Sequence, residues 1–170
     1  YVDNDPQNPT LDARRKINPK VYLIKSPQEI GGFFIVKYFV PFIPILTRRL
    51  FMENILFINA CLRKESRTKE LADVILSKFK GNITEVNLDK ESLPPLNLER
   101  LNYRSDLIGK KDFSNPIFDK AKQFAAADII VIAAPFYDFS FPAMLKNYIE
   151  NINIVGLLFR YTPTGEIEGL

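Results

Sequence analysis

DIIVIAAPFYDFSFPAMLKNYIENI, residues Asp128 to Ile152, is the stretch that decides the fold. Ile129 to Ala134 contains no polar residue, the pattern of a central parallel strand covered on both faces. Pro135 ends the run, and Phe136, Tyr137, Phe139 and Phe141 crowd its exit. Pro142 is placed as a first helical residue, where its fixed φ helps and its missing N–H costs nothing. Leu145, Tyr148, Ile149 and Ile152 then recur at helical spacing, and Gly156 is a plausible stop. A buried strand emptying into an aromatic loop and then a helix is the arrangement in which α/β proteins hold ligands.

Working outward, the same alternation runs from Met52. A strand is predicted at Ile55 to Ala60, a helix from about Thr68 to Phe79, and a strand at Ile83 to Leu88. Leu71, Ile75 and Phe79 fall four apart in that helix, and Gly81 supplies its stop. The connection from Asp89 to Ser114, broken by Pro94 and Pro95, reads as a long irregular excursion. A second helix starts near Pro116, capped by Ser114 or Asn115, and packs Phe118, Ala121, Phe124 and Ala125. Beyond Gly156, LLFRYTPTGEIEGL reads as a hairpin turning around Pro163 to Gly165. The fold class is therefore α/β, a doubly wound parallel sheet with strand order 2-1-3 in the part present.

Composition narrows the chemistry. With one cysteine and no histidine in 170 residues, a disulfide framework, the usual zinc sites and imidazole bases are excluded. Cys61 reads as a small packed residue, although Arg63 and Lys64 stand near enough in sequence to lower a thiol pKa. The net charge of +3 is uneven: residues 1 to 51 carry 8 Lys/Arg against 4 Asp/Glu, leaving 15 against 16 for the remainder. The main unit is thus nearly neutral and lacks the concentrated basic face that nucleic acid requires.

Residues 1 to 51 hold scattered prolines and no paired strand or helix signals. Ile30 to Leu46 is apolar over 17 residues but carries Lys37, Pro41 and Pro44, too short and too interrupted for a spanning helix, so membrane insertion is not expected. Arg48-Arg49 can be written AGG AGG, a bacterial ribosome-binding sequence suitably spaced before Met52. The expectation is that residues 1–51 are translated upstream DNA outside the working domain, which begins at Met52. Their prolines are expected to leave the outer edge of the third strand uncovered.

In an open parallel sheet with order 2-1-3, the ligand crevice lies between the first and third strands. Its loops are Cys61 to Arg67 and Pro135 to Phe141. The first brings Arg63, Lys64, Ser66, Arg67 and Thr68 to a helix amino end, where cations are unfavourable unless an anion is present. A bound phosphate resolves that conflict; a solvated basic turn with Ser66 as an ordinary cap is the alternative. Neither GxGxxG nor GxxxxGK[ST] is present. The second loop adds aromatic surface and backbone N–H groups, which suit a flat heterocycle, although the same aromatics can simply cover a core or meet a partner. Together the loops point to a phosphorylated aromatic cofactor.

INACLRKESRTKELA, IVIAAPFYDFSFPAMLKNYIENI and FRYTPTGEIEGL resemble the flavodoxin-like NAD(P)H-dependent oxidoreductases, the group of FMN-dependent azoreductases and quinone reductases. The resemblance covers Met52 to Leu170 and implies FMN as cofactor and NAD(P)H as electron donor. It places Ser66, Arg67 and Thr68, with Arg63 in addition, at the FMN phosphate. It places Pro135, Phe136, Tyr137, Asp138 and Phe139 beside the isoalloxazine ring. Asp138 departs from the asparagine usual in azoreductases, and a carboxylate there disfavours the anionic reduced ring, which counts against azo acceptors. The resemblance ends before the family's fourth strand and glycine-rich loop, as expected of an amino-terminal portion of the domain. It implies a cytoplasmic homodimer passing electrons to a small-molecule quinone, nitro or azo acceptor. A flavodoxin-like electron carrier, or an inactive fragment, are the competing readings; carriers are usually strongly acidic, and this unit is not.

Overall fold

The order of elements follows from which runs must be dry. In the computed structural model, residues 52–170 are described together with the backbones of strands β1 (Lys20–Lys25) and β2 (Gly32–Tyr38). Strand β3 (Glu53–Asn59) leads through the 61–66 loop to helix α1 (Arg67–Leu76) and strand β4 (Gly81–Asn87). Helix α2 (Leu98–Gly109) follows, then a 3-10 turn (Pro116–Phe118), helix α3 (Asp119–Ala125), strand β5 (Ile129–Pro135) and helix α4 (Ala143–Ile152). Strands β6 (Phe159–Tyr161) and β7 (Ile167–Gly169) form the closing antiparallel hairpin, with Gly165 at φ 83° in its turn.

Strands β4, β3 and β5 are adjacent and parallel, the predicted 2-1-3 order, with Ile55 opposite Ile83 on one side and Ile129 on the other. Because side chains alternate across a strand, the apolar runs supply both faces of the sheet. Ile55, Phe57, Ile129, Val131 and Ala133 pack under Ala72 and Leu76 of α1. Leu56, Ile58, Ile130 and Ala134 face the opposite way, against Phe118, Ala121, Leu145, Tyr148 and Ile152. Fully burying each large apolar side chain is worth about 1.5–3 kcal/mol, so the two-sided cover holds the layers together.

Four expectations are corrected. The 89–114 connection is not wholly irregular, because Asn97 caps α2 by accepting the Arg100 amide at 2.9 Å. The helix buries Leu107 but leaves Leu98 and Leu101 exposed, so its apolar stripe is too thin for periodicity to reveal. Gly81 is not the stop of α1, which ends at Leu76 with Ser77 as cap, and Gly156 (φ 86°) lies beyond the end of α4 at Ile152. The outer edge of β5 is also not left bare: β2 pairs with it antiparallel, Val36 opposite Val131, and β1 pairs with β2. Neither added strand contains a proline, and GFFIVKY is rich in aromatic and β-branched residues that suit a sheet. Apart from these two strands, the proposed upstream extension and the proline-bearing part of Ile30 to Leu46 lie outside the described residues.

The real requirement for Gly81 is space. A Cβ at this position would lie 2.1 Å from the Glu53 carbonyl oxygen on the neighbouring strand, a backbone atom that cannot swing aside. Gly81→Ala is expected to cost roughly 1–3 kcal/mol, read as a lower midpoint in urea unfolding, whereas Gly109→Ala, which meets nothing within 4 Å, should not destabilise.

Candidate functional site

The ends of β3 and β5 are where the chain does something other than pack. Asn59, the last residue of β3, is a buried polar side chain that closes the apolar run. Its Nδ2 donates to Glu85 Oε1 at 2.7 Å, and its Oδ1 accepts the Cys61 amide at 2.9 Å. The Ala60 amide donates to the Ala133 carbonyl at 2.9 Å, tying the exit of β3 to β5. The 61–66 loop therefore starts from a fixed point. Sequence reasoning missed Asn59, although a lone polar residue ending ILFIN was the signal available.

The loop ends on Ser66, the cap of α1, whose Oγ accepts the Lys69 amide at 3.3 Å. Ser66 and Thr68 are buried while Arg67 between them is exposed. At this helix end the first amides have no intrahelical acceptor and carry partial positive charge. Arg67 makes no ion pair among the described residues. Cys61 is buried, and burial pushes its thiol pKa up; a hydrogen bond with Ser66 and the charge of Lys69 oppose the shift. Arg63 and Lys64 do not enter into it, so Cys61 is the packed residue the sequence suggested.

The second loop is a tight turn. Tyr137 and Ser140 exchange both backbone hydrogen bonds at 2.8 Å, and the residues between them, Asp138 and Phe139, have φ values of 47° and 64°. Paired positive φ values are the mark of a type I′ turn, normally built with Asn and Gly. Phe139 at such a φ is strained by roughly 1–3 kcal/mol, yet its ring is 94% exposed. It meets Phe136 edge to face, with ring centroids 6.5 Å apart. The Tyr137 and Ser140 amides are used inside the turn, whereas those of Asp138 and Phe139 take no partner among the described residues.

The two loops meet. Arg63 lies over the Tyr137 ring, its guanidinium carbon 5.8 Å from the centroid. Leu62, Arg63, Phe136, Tyr137 and Asp138 line an open cleft of about 480 Å³. Of the nine sequence-predicted residues, Arg63, Phe136, Tyr137 and Asp138 are thus brought together. Ser66, Arg67 and Thr68 stand at the neighbouring helix end without lining the cleft. Pro135 is buried at the end of β5, and Phe139 forms the tip of the turn.

These features define an α/β protein with a cleft outside the carboxyl ends of two adjacent parallel strands. Residues 53–170 match the family described as flavodoxin-like fold, and the chain belongs to that family. It is 36% identical over 126 residues to FMN-dependent NADH:quinone oxidoreductase 2 of Clostridium perfringens strain 13, covering 68% of this chain and 62% of that one. It is 37% identical over 122 residues to FMN-dependent NADH:quinone oxidoreductase of Gluconobacter oxydans, covering 66% and 60%. Among solved structures, azoreductase from Bacillus anthracis str. Sterne aligns with a TM-score of 0.60 at 27% identity, over 70% of this chain and 64% of that one. The FMN-dependent NADH-azoreductase of Bacillus anthracis str. Ames Ancestor, in complex with FMN, aligns with a TM-score of 0.58 at 25% identity, over 70% and 63%. The chain spans about 62% of the length of the curated relatives it matches.

The strain at Phe139 separates stability from binding. Phe139→Gly should leave the unfolding midpoint unchanged or raise stability by about 1 kcal/mol, since glycine adopts positive φ freely. The same variant should bind a flat aromatic ligand more weakly, measured by fluorescence titration with FMN.

Proposed function

We propose that this chain carries the flavin-holding part of an FMN-dependent oxidoreductase that takes electrons from NAD(P)H and delivers them to a quinone, nitro or azo acceptor. The observation that carries the reading is the meeting, at the carboxyl ends of β3 and β5, of the loop that leads into the amino end of α1 with a strained aromatic turn. The names of the relatives agree with it. The flavin-holding unit is residues 52–170, with residues 1–51 an extension from which β1 and β2 edge its sheet. The enzyme is cytoplasmic, where NAD(P)H is supplied. It acts as a homodimer, for which the exposed Leu98, Leu101 and Tyr103 of α2 offer apolar surface.

The residues fit FMN in kind. Ser66, Arg67 and Thr68 would hold the phosphate at the α1 amino end, through amides without intrahelical acceptors and the Arg67 guanidinium, which makes no ion pair among the described residues. Arg63, resting on the Tyr137 ring, would add a cation beside this end. Pro135, Phe136, Tyr137, Asp138 and Phe139 would border the ring, with the Asp138 and Phe139 amides, which take no partner among the described residues, able to donate to it. Bound flavin supplies the hydride and electron chemistry. The protein's work is to anchor, orient and exclude water, and no side-chain acid or base is required. The Asp138 carboxylate sets this turn apart, since negative charge beside the ring opposes build-up of charge on it.

Two measurements test the proposal. Arg67→Glu should weaken FMN binding by roughly tenfold or more while leaving riboflavin, which lacks the phosphate, little affected; equal losses would remove the phosphate assignment. Steady-state NAD(P)H oxidation with a quinone acceptor should give parallel double-reciprocal lines in the gene's full-length product, because one flavin serves both substrates in turn. Electron delivery only to a protein partner would instead favour a carrier.

A further inference from the structure

The aromatic turn beside the crevice springs from a root with few fastenings of its own. Pro135, the last residue of β5, has no N–H, so the nearest backbone donor in the strand is that of Ala134. Beyond it Asp138 and Phe139 hold positive φ and are both exposed, so burial does not keep them there. Strained backbone persists only where its surroundings over-determine it. The bonds between Tyr137 and Ser140 close the turn on itself without tying it to the sheet.

What ties it is the pairing of β5 on its two sides. On the inner side the Ala133 carbonyl accepts the Ala60 amide at 2.9 Å. Amide and carbonyl of one strand residue point to the same side and the sides alternate along the strand, so Ile132 and Ala134 turn theirs to the outer edge. There β2 runs antiparallel, with Ile35 opposite Ile132, Phe33 opposite Ala134 and Gly32 opposite Pro135. The pairing therefore continues to the last residue before the turn. By the same alternation Phe33 and Ile35 face β5. Leu23, opposite Ile35 on β1, turns its amide away from β2 to the rim of the sheet.

We propose that the β1–β2 pair is a positioning element of the crevice: matched to β5 as far as Pro135, it holds the root of the aromatic turn from the outer side as Ala60 holds it from the inner side. The extension thus acts on the site through β5, and this role does not depend on what the crevice binds.

Hydrogen exchange followed residue by residue in the full chain tests it. In the unaltered chain the Ile132 and Ala134 amides should exchange as slowly as that of Val131, which faces β3. Ile35→Pro removes a donor to β5 and should speed exchange of the Tyr137 and Ser140 amides by roughly tenfold or more. The Leu88 amide, which donates to the Asn59 carbonyl at 2.9 Å on the far side of the sheet, should keep its rate. Leu23→Pro, whose lost donor faces outward from an edge strand, should leave the turn as it is. Titration with FMN and riboflavin adds a readout that rests on the flavin reading of the crevice: Ile35→Pro should weaken both by the same factor, since the ring side is loosened and the phosphate end is not. Absence of FMN binding in the unaltered chain would count against the flavin reading alone, and the exchange rates would still decide on the β1–β2 pair. Fast exchange at Ile132 and Ala134 in the unaltered chain, an unmoved turn in Ile35→Pro, or equal effects of Ile35→Pro and Leu23→Pro would each overturn the proposal. Should Ile35→Pro fail to fold, Phe33→Pro, nearer the strand end and opposite Ala134, repeats the test with less of the strand at stake.

Discussion

Everything in this unit depends on β3 and β5 lying side by side, in parallel, with both faces dry. A strand made of Ile55, Leu56, Phe57 and Ile58 has no polar face to offer water, and β5 has none either. Cover must come from both sides, so α1 is drawn to one face and α3 with α4 to the other. Once those crossovers are fixed, both strands exit at the same end, and the loops that follow them cannot avoid each other. The crevice is the consequence of a packing requirement, and the residues in it are free to be chosen for chemistry because the core beneath does not need them.

How far the sequence could be read tracks how much apolar pattern each element carries. β3, β5, α1, α4 and the closing hairpin were legible because Leu, Ile, Phe and Tyr recur at the right period and turn residues bound them. Helix α2 escaped because Leu98, Leu101 and Tyr103 face outward, leaving Leu107 as its one buried residue. Strand β2 is hard to read because Pro27 and Pro41 flank GFFIVKY and mask a segment with good strand propensity. In the crevice, the pairing of a basic helix end with an aromatic loop could be foreseen, but not how its members divide. The sequence gives no sign that Ser66 and Thr68 turn inward while Arg67 stays outside. Nor does it show that Tyr137 and Ser140 bind each other, since Asp138-Phe139 lacks the glycine that announces a turn of this type.

Charge in this molecule is organised locally. Most ion pairs are short-range helix contacts such as Lys69 with Asp73 and Lys110 with Asp106, exposed and therefore weak. Against that background, and apart from Arg160, which pairs with Glu168 at 2.7 Å, three guanidinium groups stand out by having no carboxylate partner among the described residues. Arg63 rests on a ring, Arg104 on a carbonyl, and Arg100 on an amide oxygen at the limit of reach. Of these three, Arg63 and Arg100 line clefts.

Asn59 ties these levels together in a way that bears on how such a protein can change over generations. One amide side chain grips Glu85 on the outer strand and the backbone that launches the 61–66 loop. An alteration on β4, remote from any ligand, is thereby transmitted to the loop through a single residue. Positions 59 and 85 are coupled physically: exchanging either one breaks the contact between Asn59 Nδ2 and Glu85 Oε1 without touching the apolar core.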